Sequence, residues 1–355
     1  MKLITTPGPT TGAGTTLSPT TYSGPNVPNA CVPVPSPAGV NAPALGAAPG
    51  GGSVVSFCAT VPQATLALLA EGTHYLYIHA YETPSTPTPA FTAKVGRWGA
   101  YDPTSPLTFV IDRTGPTAGT PVIDHNPNNG TVFSAGNLNF LDSLQVATTL
   151  DDSKPGYGNS TVVSGEVFLS KNDGRATPVP AAEYGTGAEM VPSGGQWDSP
   201  TKLAYAYIPL AELTSYAEGK VKFWVHGRDI AGNWGEWSSV LLTLDRTAPT
   251  FTSTTPAKGA TTATACTGGL GGCTVSFSAT DPLSGGVQSN IVQAEWFTAF
   301  PDPGVGLGNP INIPTPGFTV TGVTFQPVAA SGTQIFFRVR DAAGNWSTTS
   351  MVVAK

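Results

Sequence analysis

Four aspartates recur at matched places and are the residues best suited to chemistry. Asp112 and Asp245 each end a short apolar run, and Asp229 and Asp341 open the stretches Asp229-Ile230-Ala231-Gly232-Asn233-Trp234 and Asp341-Ala342-Ala343-Gly344-Asn345-Trp346. With Asn233 and Asn345 they offer carboxylate and amide oxygens, the hard donors that Ca²⁺ gathers six to eight at a time. The same residue types also close Asx turns on tight hairpins, with Arg113 and Arg246 pairing with a nearby carboxylate to fix the junctions. Both readings are open on the sequence. A second acidic run, Asp124-x-Asn126-x-Asn128-Asn129-Gly130, is one residue out of EF-hand register and is interrupted by Pro127, so it reads as a turn.

No catalytic apparatus accompanies these carboxylates. The four histidines lack a metal-ligand partner at helical spacing, and the sequence contains no His-Glu-x-x-His, Gly-x-Ser-x-Gly or phosphate-binding Gly-x-x-x-x-Gly-Lys. Gly304-Val305-Gly306-Leu307-Gly308 has the look of a phosphate loop, but a proline follows and no helix does, so it reads as a surface loop. Trp98, Trp234 and Trp237 fall in loops or near a hairpin tip, where aromatic faces can stack on sugars. A tryptophan after Gly-Asn in two places also suits a structural staple on the hairpin. The sequence is read as non-enzymatic.

The elements that must position these residues come from an internal repeat. A glycine-led, aromatic-rich strand occurs three times, at Gly72–Ile78, Gly219–Val225 and Gly332–Arg338, and the junctions Asp112-Arg113-Thr114-Gly115-Pro116 and Asp245-Arg246-Thr247-Ala248-Pro249 nearly coincide. These landmarks divide the chain into 1–114, 115–247 and 248–355. Charged residues make up only 11 % of the chain, where about 25 % is ordinary, and Gly and Pro are abundant. Thr, Ser and Asn then carry the polar surface and favour strands and turns. Period-2 runs such as Leu144-Gln145-Val146-Ala147 and Val275-Ser276-Phe277-Ser278 recur between turn residues. The expected fold is all-β: three tandem immunoglobulin-like β-sandwich domains. The helical stretches are Gln63–Glu71 and Ile208–Glu218. The expected cores are Phe57, Tyr75, Tyr77 and Phe109; Phe168, Phe223, Val225 and Leu242; and Phe277, Trp296, Phe336 and Val352, because alternate strand positions share a face.

Ala294-Glu295-Trp296-Phe297, followed by the glycine-led strand and Val339-Arg340-Asp341-Ala342-Ala343-Gly344-Asn345-Trp346, resembles the bacterial immunoglobulin-like repeats found in tandem in large secreted and cell-surface proteins. Gly165-Glu166-Val167-Phe168 and His226–Gly235 carry the same features in the second unit. In the first, Glu82 replaces the aspartate and Thr83–Phe91 is inserted. The resemblance implies spacing, adhesion or assembly outside the cell, and carries no enzymatic activity.

The cysteines point to the same compartment. Cys31 with Cys58, and Cys266 with Cys273, are placed to close disulfides within the first and third units, which an oxidising environment permits. No export signal opens the sequence, so it reads as a mature form or a segment of something longer. No apolar run is long enough to span a membrane. A net charge of −6 with 16 basic residues argues against nucleic acid. The expected function is a non-catalytic extracellular or cell-surface structural protein: a tandem rod serving as stalk, adhesin or filament subunit. Its partners would be copies of itself, other surface proteins or glycans, and calcium is the candidate cofactor. The alternative is a carbohydrate-binding or accessory module of a larger secreted enzyme. The terminal segments Lys2–Thr6 and Ser350–Lys355 are strand-like, and an open edge at each end would invite head-to-tail addition.

Overall fold

A computed structural model describes residues 2–4, 15–16, 19–22, 56–59, 63–77, 81–82, 97–98, 107–131, 143–153, 160–171, 177–255, 274–298, 301–330 and 332–354. They fall into two compact bodies, one in Met1–Arg113 and the other comprising Thr114–Ser153 and Ser160–Lys355. Among the described residues, no helix is long and apolar enough to cross a membrane.

In the first body, strand β1 (Lys2–Ile4) lies between β2 (Thr15–Thr16) and β5 (Gly72–Tyr77), and β5 pairs in turn with β8 (Leu107–Ile111). The edge expected to be open at Lys2–Ile4 is therefore occupied on both sides. Strands β3 (Pro19–Tyr22) and β4 (Ser56–Ala59) form one ladder, and β6 (Tyr81–Glu82) and β7 (Arg97–Trp98) another. Helix α1 (Gln63–Ala67) is shorter than the stretch expected to be helical. On β5 the buried residue is His74, whose Nε2 lies 2.7 Å from the Ala70 carbonyl and whose cross-strand neighbour is Phe109. Tyr75 pairs with Thr108 and so faces the other way, separated from Phe109 rather than sharing a core with it.

The second body holds two β-sandwiches with separate cores. In the first sandwich, β9 (Thr117–Ala118) and β10 (Val122–Ile123) pair with β11 (Ser143–Asp151), which pairs with β15 (Thr201–Pro209), with β14 (Val191–Pro192) at the edge. The facing sheet runs β13 (Ala188–Glu189), β12 (Val162–Lys171), β16 (Gly219–Asp229), β17 (Ser238–Leu244). In the second sandwich, β18 (Thr250–Thr255), β19 (Val275–Thr280) and β22 (Thr319–Phe325) face β21 (Asn309–Ile311), β20 (Ile291–Phe297), β23 (Gln334–Asp341) and β24 (Ser350–Val353). Every ladder is antiparallel. The architecture is that of immunoglobulin-like sandwiches in which a short strand, β13 or β21, pairs beside β12 or β20 at the edge of the second sheet.

Alternation dictates the cores. Leu144, Val146 and Leu150 of β11 point inward against Val167, Phe223, Val225 and Leu242, and Phe277 of β19 meets Phe337 and Val352. Two expected core residues do not belong there. Phe168 pairs with Trp224 and meets Trp237 edge-on, while Phe336 stacks on Phe297 at 5.4 Å, both on the outer face of their sheets. The inward residue of the third repeat is Phe337, one position later. Trp296 does share the inner face with Phe337 and packs against the core rim through Phe325.

The outer faces explain that error, because a loop covers each and makes both faces of the central strands apolar or buried. Glu166 accepts hydrogen bonds from the amides of Gly185 and Gly187, and lies 2.6 Å from His226 Nε2. His226 is stacked between Trp234 and Trp237, with Tyr184 edge-on to it. In the next sandwich Glu295 takes the equivalent position, accepting from the amides of Gly306 and Gly308 and from Arg338 Nε at 2.6 Å. The glycine-rich loop that resembles a phosphate cradle thus holds the chain's own glutamate.

Candidate metal centre at the sandwich junction

The two hairpins carrying Asp-x-Ala-Gly-Asn-Trp form as their residue types require. Gly232 and Gly344 sit at φ +97° and +102°, a region L side chains avoid. Asp341 Oδ1 accepts the amides of Gly344 and Asn345, and Oδ2 accepts from Asn345 Nδ2 at 2.9 Å. Asp229 takes the amide and side chain of Asn233 in the same manner. A β-bulge lies in the partner strand of each, at Val162/Ser164 opposite Asp229 and at Ile291/Gln293 opposite Asp341, and bends the ladder there.

The second hairpin reaches back to the preceding sandwich. Asn345 Nδ2 donates to the Asp245 carbonyl at 3.0 Å, and Asn129 Nδ2 donates to Asn345 Oδ1 at 3.2 Å. Ser289 Oγ donates to Asp245 Oδ2 at 2.6 Å, and Ser284 Oγ to Glu218 Oε2 at 2.8 Å. Glu218 in turn accepts the amides of Arg246 and Thr247. The expected pairing of Arg246 with a carboxylate does not occur. Its guanidinium donates to the carbonyls of Leu213, Tyr216 and Asn129, capping the short 3₁₀ helix Leu210–Ser215, while only its backbone amide meets Glu218. Arg113 behaves alike within the first body, donating to Leu66 and Leu69 while its amide meets Glu71.

At the centre of this junction Asp245, Asp281 and Asp341 bring carboxylate oxygens within 4.8 Å of one another, and all three are buried. Asp245 ends the first sandwich, Asp281 follows β19, and Asp341 opens the hairpin after β23. Asp281 Oδ2 accepts the Ser289 amide at 2.7 Å, whereas its buried Oδ1 has no hydrogen-bond partner. Burial pushes the Asp281 carboxyl up to about 7, and the charges of Asp245 and Asp341 add to the effect. Burial likewise raises Asp245 and Asp341. Glu218 stays below its ordinary value: burial opposes this, but donors from Ser284, the Arg246 amide and Thr247 outweigh it.

Of the aspartates singled out by sequence, the structure joins Asp245 and Asp341. Asp229 lies with Asp152 at the corresponding end of the preceding sandwich, their carboxylates within 4.8 Å, and Asp112 follows β8. Sequence reasoning missed Asp281. Its signal was a second repeat: Asp281 binds the amide of Ser289 and Asp152 that of Ser160, each serine eight residues on and each aspartate just after the strand that leads into the loop. The sugar-stacking candidates Trp234 and Trp237 are half-buried against His226. Of Trp98 and Cys58 only the backbone is described, and Cys31, Cys266 and Cys273 lie outside the described residues.

No protein family and no curated protein matches this sequence. Among solved structures the chain is similar to one of Clostridium thermocellum CbhA fibronectin(III)-like modules, at 14% sequence identity over 66% of this chain and 92% of that chain, with a TM-score of 0.28.

Proposed function

We infer that the chain is a non-catalytic spacer of extracellular type, three immunoglobulin-like units in tandem serving as the stalk of a surface or secreted protein. The observation that carries this is the junction of the second body, where Asn345 joins its own hairpin to Asp245 and Asn129 of the preceding sandwich. A flexible linker would leave the sandwiches free to reorient. Here the linking residues are instead hydrogen-bonded on both sides, which suits a load-bearing or spacing element. Close backbone approach reinforces the contact. A Cβ on Gly285, whose φ is +56°, would come within 2.5 Å of the Glu218 carbonyl, so the two backbone segments meet there without room for a side chain. The cysteine pairs and the low charge of the sequence support the extracellular assignment.

Single-molecule stretching of the full chain between surface tethers tests the reading. A spacer gives discrete unfolding events well above thermal forces, with no hydrolytic or transferase activity in substrate screens of the same preparation. Turnover of any substrate, lost with a single side chain, would replace this reading with an enzymatic one.

A further inference from the structure

We propose that Asp245, Asp281 and Asp341 form a calcium site that ties the end of one sandwich to two loops of the next. The site does not depend on the chain being a spacer, since a cation bound there would order the junction whatever the protein does.

Three carboxylates buried together without compensation are strongly unfavourable, because like charges at this separation repel through a medium that screens poorly. Two remedies exist, protons or a cation. A proton on Asp281 relieves one charge and leaves two. The surrounding charged groups do not complete the balance. Glu218 adds a fourth carboxylate next to Asp245, the Arg246 guanidinium is committed to carbonyls, and Arg340, which donates to Gln293, sets a single positive charge against Asp341. A divalent cation offsets two of the three charges where a proton offsets one, and gives Asp281 Oδ1 the partner it otherwise lacks.

The donor set selects the ion. All donors are oxygen and no thiolate or imidazole takes part, which excludes a zinc-like preference and points to a hard cation. Three carboxylates supply three to six oxygens depending on whether each binds through one or both, close to what calcium needs and poorly matched to magnesium, which keeps most of its water. The remaining lone pairs already take donors: the Thr247 amide and Ser289 Oγ at Asp245, the Ser289 amide at Asp281, and the Gly344 and Asn345 amides at Asp341. Such second contacts hold ligands in place before the ion arrives. Protons must leave for the ion to bind.

The test is calorimetric titration of the full chain with CaCl₂ after chelation, with thermal unfolding in parallel. Wild type should bind calcium and melt at higher temperature in its presence. Asp281→Asn should bind one calcium fewer per chain. Should that variant not fold, Asp341→Asn is to show the same loss. Wild-type stoichiometry and affinity retained in a folded Asp281→Asn or Asp341→Asn chain would overturn the site, as would a wild type whose melting temperature is indifferent to millimolar calcium.

Discussion

Replacing Asp281 with Asn in the chelated protein should make it more stable, an unusual expectation for loss of a buried charged residue. Burial and its neighbours move this carboxyl from an ordinary 3.8 to about 7. The folded state therefore holds the proton more tightly than the unfolded chain, and stability falls as pH rises through the interval between those values. At about 1.4 kcal/mol per pH unit, ionised Asp281 costs the calcium-free protein on the order of 4 kcal/mol at pH 8 relative to a neutral group, and nothing below about pH 4. Asn is close to isosteric and its carbonyl oxygen keeps the Ser289 amide bond. Urea unfolding followed by tryptophan fluorescence, in chelator, should show the variant ahead of wild type at pH 8 and level with it near pH 4. In millimolar calcium the order should reverse, because only wild type gains the ion's binding energy. A variant that is less stable than wild type by the same amount at both pH values would refute the reasoning, since it would mean the carboxylate is satisfied as an anion.

Other expectations follow from the same contacts. Asn345→Ala removes bonds to Asp245, Asp341 and Asn129, and should cost about 2–4 kcal/mol in urea unfolding. Gly344→Val forces a β-branched residue into φ +102° and should cost about 1–3 kcal/mol, read as a lower denaturation midpoint. Arg338→Ala leaves Glu295 buried without its guanidinium and should cost roughly 3–5 kcal/mol, whereas changing both residues to apolar ones should recover much of it in a double-mutant cycle. Peptide mapping without reduction should find Cys31 joined to Cys58 and Cys266 to Cys273; a bond between the two pairs would contradict the reading of local closure.

What was legible in the sequence had short range. The alternation in Leu144–Leu150 and Val275–Ala279 announces inward faces because a strand's period is 2, and Gly232 and Gly344 announce left-handed turn positions because other residues are strained there. The junction was half legible: Asp245 and Asp341 stand in repeated motifs, whereas Asp281 sits in a loop whose neighbours Pro282, Leu283 and Ser284 match nothing in the preceding unit. The choice of Phe336 over Phe337 failed for a different reason. Both faces of β23 carry bulky side chains, because the loop holding Gly306 and Gly308 buries Glu295 and Arg338 on the side that would ordinarily meet solvent. Periodicity cannot separate two buried faces. The arginine clamps were misassigned because pairing Arg with carboxylate is the commoner solution, and only the fold places carbonyls at the end of a 3₁₀ turn beside Arg246.

The central claim is that the junction fixes one sandwich against the next, and residual dipolar couplings from the full chain measure this directly. Couplings from 162–244 and from 275–353 should fit a single alignment tensor in calcium. Two tensors of different magnitude or orientation in the presence of calcium would contradict the account, because they would show the sandwiches reorienting despite the contacts among Asp245, Asn129, Ser289 and Asn345.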